Sequence, residues 1–158
     1  MFKVRLDDVR RANGTTLTLE MVEHHGGVVI ACKPTPDEVF LIKQYRYAID
    51  EELIELPAGR LEIGEDRLEA AKRELIEETG YRAKQWEELP PIYSAPGFCD
   101  ELLTCYLATD IEWVGKNLDE DEETDVVKVS LKEAWQMVLD RKIRDSKTVA
   151  LLGVICHS

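Results

Sequence analysis

Glu74, Glu77 and Glu78 are the residues of this chain whose spacing points most directly to chemistry. They stand at i, i+3 and i+4, and on a helix such neighbours carry Cβ atoms about 5–6 Å apart. Three like charges on one face repel one another, and a plain surface helix would interleave them with lysines. A hard divalent cation resolves the conflict. Mg²⁺ takes oxygen ligands from one or two carboxylates and fills the rest of its shell with water and substrate phosphates. Arg73 lies beside the cluster and can orient a carboxylate through two parallel N–H bonds. Taken alone, the three glutamates also fit a solvated charged helix, so their surroundings decide the reading.

Those surroundings are GRLEIGEDRLEAAKRELIEETGY, from Gly59 to Tyr81. They resemble the Nudix box, G-x5-E-x7-R-E-U-x-E-E-x-G-U, where U is bulky and apolar. Gly59, Glu65, Arg73, Glu74, Leu75, Glu77, Glu78 and Gly80 all fall in place, and Tyr81 is a mild departure that keeps a large side chain. At roughly 0.07 per fixed identity, seven fixed positions occur by chance about once in 10⁸ windows. The resemblance implies a loop–helix–loop that hydrolyses nucleoside diphosphates linked to another moiety. It implies that Glu74 and Glu78 hold Mg²⁺ or Mn²⁺, with the backbone carbonyl of Ala58 completing the site. Glu77 stands close by as a catalytic candidate, and Gly59, Glu65, Arg73 and Gly80 shape the box.

A second set of residues narrows the branch. Pro96 in YSAPGFCDE, Glu55-Leu56-Pro57-Ala58-Gly59 and Gln44-Tyr45-Arg46 are similar to ADP-ribose pyrophosphatases, and the similarity runs on to IRDSKTVALL near the end. It implies that Arg46, Pro96 and Glu101 meet the substrate. It also implies that a loop glutamate, Glu120 or Glu122 in DEDEE, activates water. Each has a plainer reading: Arg46 as a surface cation, Pro96 as a loop-shaping proline, Glu101 as the start of a strand and DEDEE as a solvated acidic loop. DEDEE lacks the central glycine of an EF-hand loop, which argues against calcium.

The elements that must position these residues can be read from pattern. Asp66 to Thr79 is the clearest helix, with Leu68, Ala71 and Leu75 forming one apolar stripe and Gly80 a stop. Phe2 to Val9 and Thr15 to Val22 flank Asn13-Gly14 and read as a hairpin. Gly27 to Lys33 and Val39 to Tyr45 read as neighbouring antiparallel strands, followed by strands at Leu53 to Leu56, Pro91 to Ala95, Leu102 to Ala108 and Val126 to Val129. Ser130 with Glu133 forms a capping box for a helix to about Asp140, and Asp145 or Ser146 caps a last helix. The pattern predicts an α+β class. The resemblance implies the Nudix fold, a mixed sheet between helices in an α/β/α sandwich with an N-terminal β-hairpin.

Length and charge set the frame. At 158 residues without an evident linker, one domain over 1–158 is the expectation. The formal charge of −12 disfavours a nucleic-acid or membrane partner and calls for a cation to mediate binding of an anionic substrate. The start, MFKVRLDDVRR, lacks an apolar signal region, which makes the cytoplasm the expected location. Cys32, Cys99, Cys105 and Cys156 form no CxxC pair and read as core thiols, and the three histidines add little. The hairpin has a more apolar face that needs a cover, and the resemblance implies a homodimer made through it. The activity that the resemblance implies is metal-dependent hydrolysis of ADP-ribose to AMP and ribose 5-phosphate. The alternatives are a broader nucleoside diphosphate sugar pyrophosphatase and a non-catalytic ADP-ribose sensor.

Overall fold

The structure is a computed structural model and describes residues 3–115 and 125–157. The chain forms β1 (Lys3–Arg10), β2 (Thr16–Glu23), β3 (Gly27–Cys32), β4 (Glu38–Arg46), β5 (Glu51–Glu55), β6 (Ala58–Arg60), α1 (Arg67–Thr79), β7 (Tyr81–Tyr93), β8 (Leu102–Trp113), β9 (Asp125–Ser130), α2 (Leu131–Leu139) and α3 (Ser146–His157). Strands β6-β3-β8-β7 make a four-stranded mixed sheet, in which β3 and β8 are parallel and the other pairs antiparallel. Strands β5-β4-β9 make an antiparallel three-stranded sheet.

Strand β3 is buried along its whole length because it is covered on both faces. Val28, Ile30 and Cys32 point to one side, where Ala70, Ala71 and Leu75 of α1 join Phe40 and Tyr106. Val29 and Ala31 point to the other, against Leu41, Cys105 and, from α2 and α3, Ala134, Leu151 and Leu152. The period-2 alternation of one strand thus builds both interfaces of an α/β/α sandwich. A buried leucine such as Leu75 contributes about 1.5–3 kcal/mol through the apolar area it withdraws from water.

Two expectations are corrected. Strands β3 and β4 are not paired neighbours; β3 pairs with β6 and β8, whereas β4 pairs with β5 and β9. A short loop between apolar runs does not distinguish a hairpin from a crossing between sheets. Of the segment Pro91 to Ala95, only Pro91 to Tyr93 is strand, and it is the end of the longer β7, whose register shifts between Leu89 and Ile92 around Pro90-Pro91. Prolines are tolerated there because β7 is an edge strand, and its polar run Lys84, Gln85, Glu87 and Glu88 masks the strand in the sequence.

The N-terminal hairpin turns through Ala12, Asn13 and Gly14, with Arg10 opposite Thr16. Gly14 has φ +85°, and its N–H donates to the Arg11 carbonyl, as in a three-residue hairpin loop with a bulge. Val9, Leu17 and Leu19 share one face, and Val4 and Leu6 lie on the other; all five are exposed. Near the end of β2, Val22 ties the hairpin to the body by exchanging backbone hydrogen bonds with Phe98 and Asp100. Among the described residues no helix is long and apolar enough to cross a membrane.

Candidate active site

Helix α1 is fixed at both ends before it meets anything else. Asp66 caps it by accepting from the backbone N–H groups of Leu68 and Glu69, at 3.0 and 3.2 Å. Gly80 ends it at φ 77°, donating to the Ile76 carbonyl at 2.8 Å. One stripe of α1 packs on β3. An adjacent stripe carries the acids, and two of them are drawn into the protein: Glu74 is buried, and Glu78 is only 1% exposed.

Arg73 gathers the cluster. Its Nε and Nη2 donate to the two Glu65 oxygens at 2.9 and 3.1 Å, a bidentate pair. Its Nη1 donates to Glu74 at 2.8 Å and to Glu77 at 2.9 Å. The hydrogen bonds with Glu65, followed by the charge of Glu74, raise the Arg73 pKa despite its partial burial. The same Arg73 bonds, helped by the Glu62 backbone N–H, hold the Glu65 carboxyl below the usual carboxylate range. Glu78 accepts from the backbone N–H of Ala58 at 2.9 Å, tying β6 to the helix. Gly59 follows directly. A Cβ there would lie 1.8–2.2 Å from the carboxylate atoms of Glu74, so any larger residue at this position would displace that carboxylate.

Ala58, Gly59, Arg73, Glu74 and Glu77 line one open cavity of about 1160 Å³ with Arg46 and Glu101. Glu78 is buried beside it, Glu65 is held through Arg73, and Gly80 caps the helix below. Pro96 is exposed in the turn after β7 and is not among the cavity walls, where Ser94 stands instead. Glu120 and Glu122 lie outside the described residues. The buried thiols Cys32 and Cys105 are pushed up to about 12 and about 11 by burial, which removes them as thiolate nucleophiles.

Sequence reasoning missed several cavity residues. Glu55, 1% exposed, pairs with Arg46 through two hydrogen bonds of 2.7 and 2.6 Å and also with Lys147. Burial alone pushes the Glu55 carboxyl up, but Arg46 and Lys147 together hold it below its ordinary value. A glutamate inside the apolar run LIELP is the signal that could have found this pair, since a buried charge needs a partner. His24 is another. Its Nδ1 lies 3.1 Å from Glu101 and 3.0 Å from the Gly26 backbone nitrogen. Its place directly after β2, rather than any spacing to another ligand, brings it to the cavity, so no motif marks it in the sequence.

The donor set suits a hard divalent cation: carboxylate oxygens of Glu74, Glu77 and Glu78 beside the β6 backbone, with more acid nearby than Arg73 alone neutralises. Among the described residues no three acidic, histidine or cysteine side chains already converge as a cage. The hydrogen bonds explain this, because Glu74 and Glu77 point oxygens at Arg73, and Glu78 at Ala58. A cation would share those oxygens with donors that already aim them.

The chain and its fold have known counterparts. A methanol dehydrogenase activator of Bacillus methanolicus is 40% identical over 93% of this chain and 80% of its own length. An ADP-ribose pyrophosphatase of Bacillus subtilis is 37% identical over 90% of this chain and 78% of its own. The crystal structure of an ADP compounds hydrolase superposes with a TM-score of 0.88 over 99% of this chain and 85% of that one, at 24% identity, which speaks for the fold. The NUDIX domain matches residues 23–152. With the acid-bearing helix in its cavity and these relatives alongside, the chain belongs to the Nudix family of hydrolases.

Proposed function

We propose that this protein hydrolyses the diphosphate of ADP-ribose, giving AMP and ribose 5-phosphate. The observation that carries the reading is the acidic face of α1, held by Arg73 in the wall of a cavity that Arg46 also lines. Glu74, Glu78 and the Ala58 carbonyl would hold Mg²⁺, or Mn²⁺ in its place. When bound, such an ion offsets phosphate charge and lowers the pKa of a nucleophilic water. The protein's part is positioning and electrostatics. Arg73 orients Glu74 and Glu77, while Arg46 offers a guanidinium to phosphate or base. Glu101 meets the ribose side, and Pro96 shapes the loop that leads there. Glu120 or Glu122 is the proposed base, with Glu77 the third carboxylate in reach of that role. Gln44 lines the same cavity, and its buried Oε1, unpartnered among the described residues, offers an acceptor for a substrate donor. We place the protein in the cytoplasm as a homodimer joined through β1 and β2, with no nucleic-acid or membrane partner.

The relative named for activating a dehydrogenase favours a second reading, in which the chain binds a nucleotide and acts on another enzyme. One assay separates them. Incubation of ADP-ribose with the protein and Mg²⁺, followed by chromatography, should yield equal amounts of AMP and ribose 5-phosphate. Binding without turnover would favour the second reading, and ADP with free ribose would defeat diphosphate cleavage.

A further inference from the structure

The cavity lining also holds a four-residue charge network of Arg46, Glu55, Asp145 and Lys147. Glu55 is its centre. Arg46, at the end of β4, donates through Nε to one Glu55 oxygen and through Nη2 to the other. Lys147, in the first turn of α3, donates Nζ to that second oxygen and also lies 2.9 Å from Asp145. Asp145 has other service. It accepts from the backbone N–H and the hydroxyl of Thr148, at 2.9 and 2.6 Å, and sits at the positive end of α3. The Thr148 hydroxyl accepts in turn from the Leu56 backbone N–H, locking α3 to the end of β5.

The two cations differ in access. The Arg46 side chain is 38% exposed, whereas that of Lys147 is 14% exposed. Glu55 takes up Nε and Nη2 of Arg46 and leaves Nη1 out of the pair. An Arg–Glu pair by itself is neutral and draws an anion weakly. Asp145 balances the charge of Lys147, so the four-residue network is neutral as a whole, and what the second cation adds on the same carboxylate is a fixed conformation of Glu55, the one that orients the exposed guanidinium. We propose that Lys147 is a positioning residue for substrate binding, acting through Glu55 to keep the Arg46 guanidinium oriented at the cavity wall. The inference rests on the reading that Arg46 meets the substrate.

Steady-state kinetics with ADP-ribose and Mg²⁺ test it. Arg46→Ala first tests the underlying reading and should raise KM about tenfold or more. Lys147→Met should raise KM about tenfold with kcat within about threefold, and Lys147→Arg should restore most of the affinity. Removing Lys147 alone leaves a buried carboxylate with one partner fewer, which threatens folding. The decisive comparison is therefore made in a Glu55→Gln background, where that charge is gone. There Lys147→Met should change KM by less than about threefold, because the carboxylate through which it acts is absent. An equal rise in KM in both backgrounds would overturn the proposal in favour of direct substrate contact by Lys147. No rise in either would overturn it outright. An unchanged KM in Arg46→Ala would instead defeat the reading beneath it.

Discussion

Arg73 and the acids around it define the site at the scale of single residues. One guanidinium serves Glu65, Glu74 and Glu77, so its removal would release three carboxylates at once, two of them on the proposed catalytic face. Glu78 differs, because its partner is the Ala58 backbone rather than Arg73. Glu78→Gln keeps an oxygen for that bond and a similar helix propensity. It should therefore keep the fold while kcat falls at least about 10²-fold, and near-normal turnover at saturating Mg²⁺ would contradict the metal role. Glu65 makes a prediction about pH. Its carboxyl is held below the ordinary 4.5, so its stabilising charge is fully present above that value and is lost as pH falls through the lower folded pKa. The melting temperature of Glu65→Gln should lie below wild type at pH 7, and the gap should close below pH 4.5. A gap unchanged down to pH 3 would argue against the Arg73 pair as its origin.

At the scale of elements, what was legible followed from local rules. Asp66 and Gly80 bracket α1 to within a residue of the expected span, because capping and left-handed termination act over a few neighbours. Ser130 caps α2 as read, by accepting from the Glu133 backbone N–H, and Asp145 rather than Ser146 is the side chain that caps α3. The strand β6 was not legible. Ala58-Gly59-Arg60 is three residues long, and its pairing with β3 is decided by tertiary contact alone. The order of the sheets and the Glu55 network were hidden for the same reason, since β5 and α3 meet across about ninety residues of sequence. Gly59 shows where element and site join. Its need for glycine is one of room, so Gly59→Ala should push the Glu74 carboxylate away. We expect kcat to fall at least about tenfold for a stability loss of about 1 kcal/mol. Full activity with an unchanged melting temperature would mean that β6 can retreat from α1.

At the scale of the whole molecule, the hairpin is a part that the described body of the chain leaves uncovered. A two-stranded hairpin is marginal by itself in water, and both faces of this one expose aliphatic side chains. A second copy of the chain would cover them. Sedimentation at micromolar concentration should show a dimer, and a sole species at 18.1 kDa would contradict it. The acidic surface acts at the same scale. A charge of −12 disfavours a long anionic chain such as capped RNA, whereas a compact nucleotide sugar brings two phosphates that bound cations can neutralise. A cavity that hydrogen-bonds the terminal ribose discriminates by leaving buried polar groups unpaired when another moiety enters. The most direct test of the account is a kcat/KM ranking across ADP-ribose, ATP, diadenosine tetraphosphate, capped RNA, ADP-glucose and GDP-mannose in Mg²⁺. ADP-ribose should rank first, with the narrowest margin over the other sugar nucleotides. First place for ATP or diadenosine tetraphosphate would contradict the assignment to nucleotide-sugar hydrolysis.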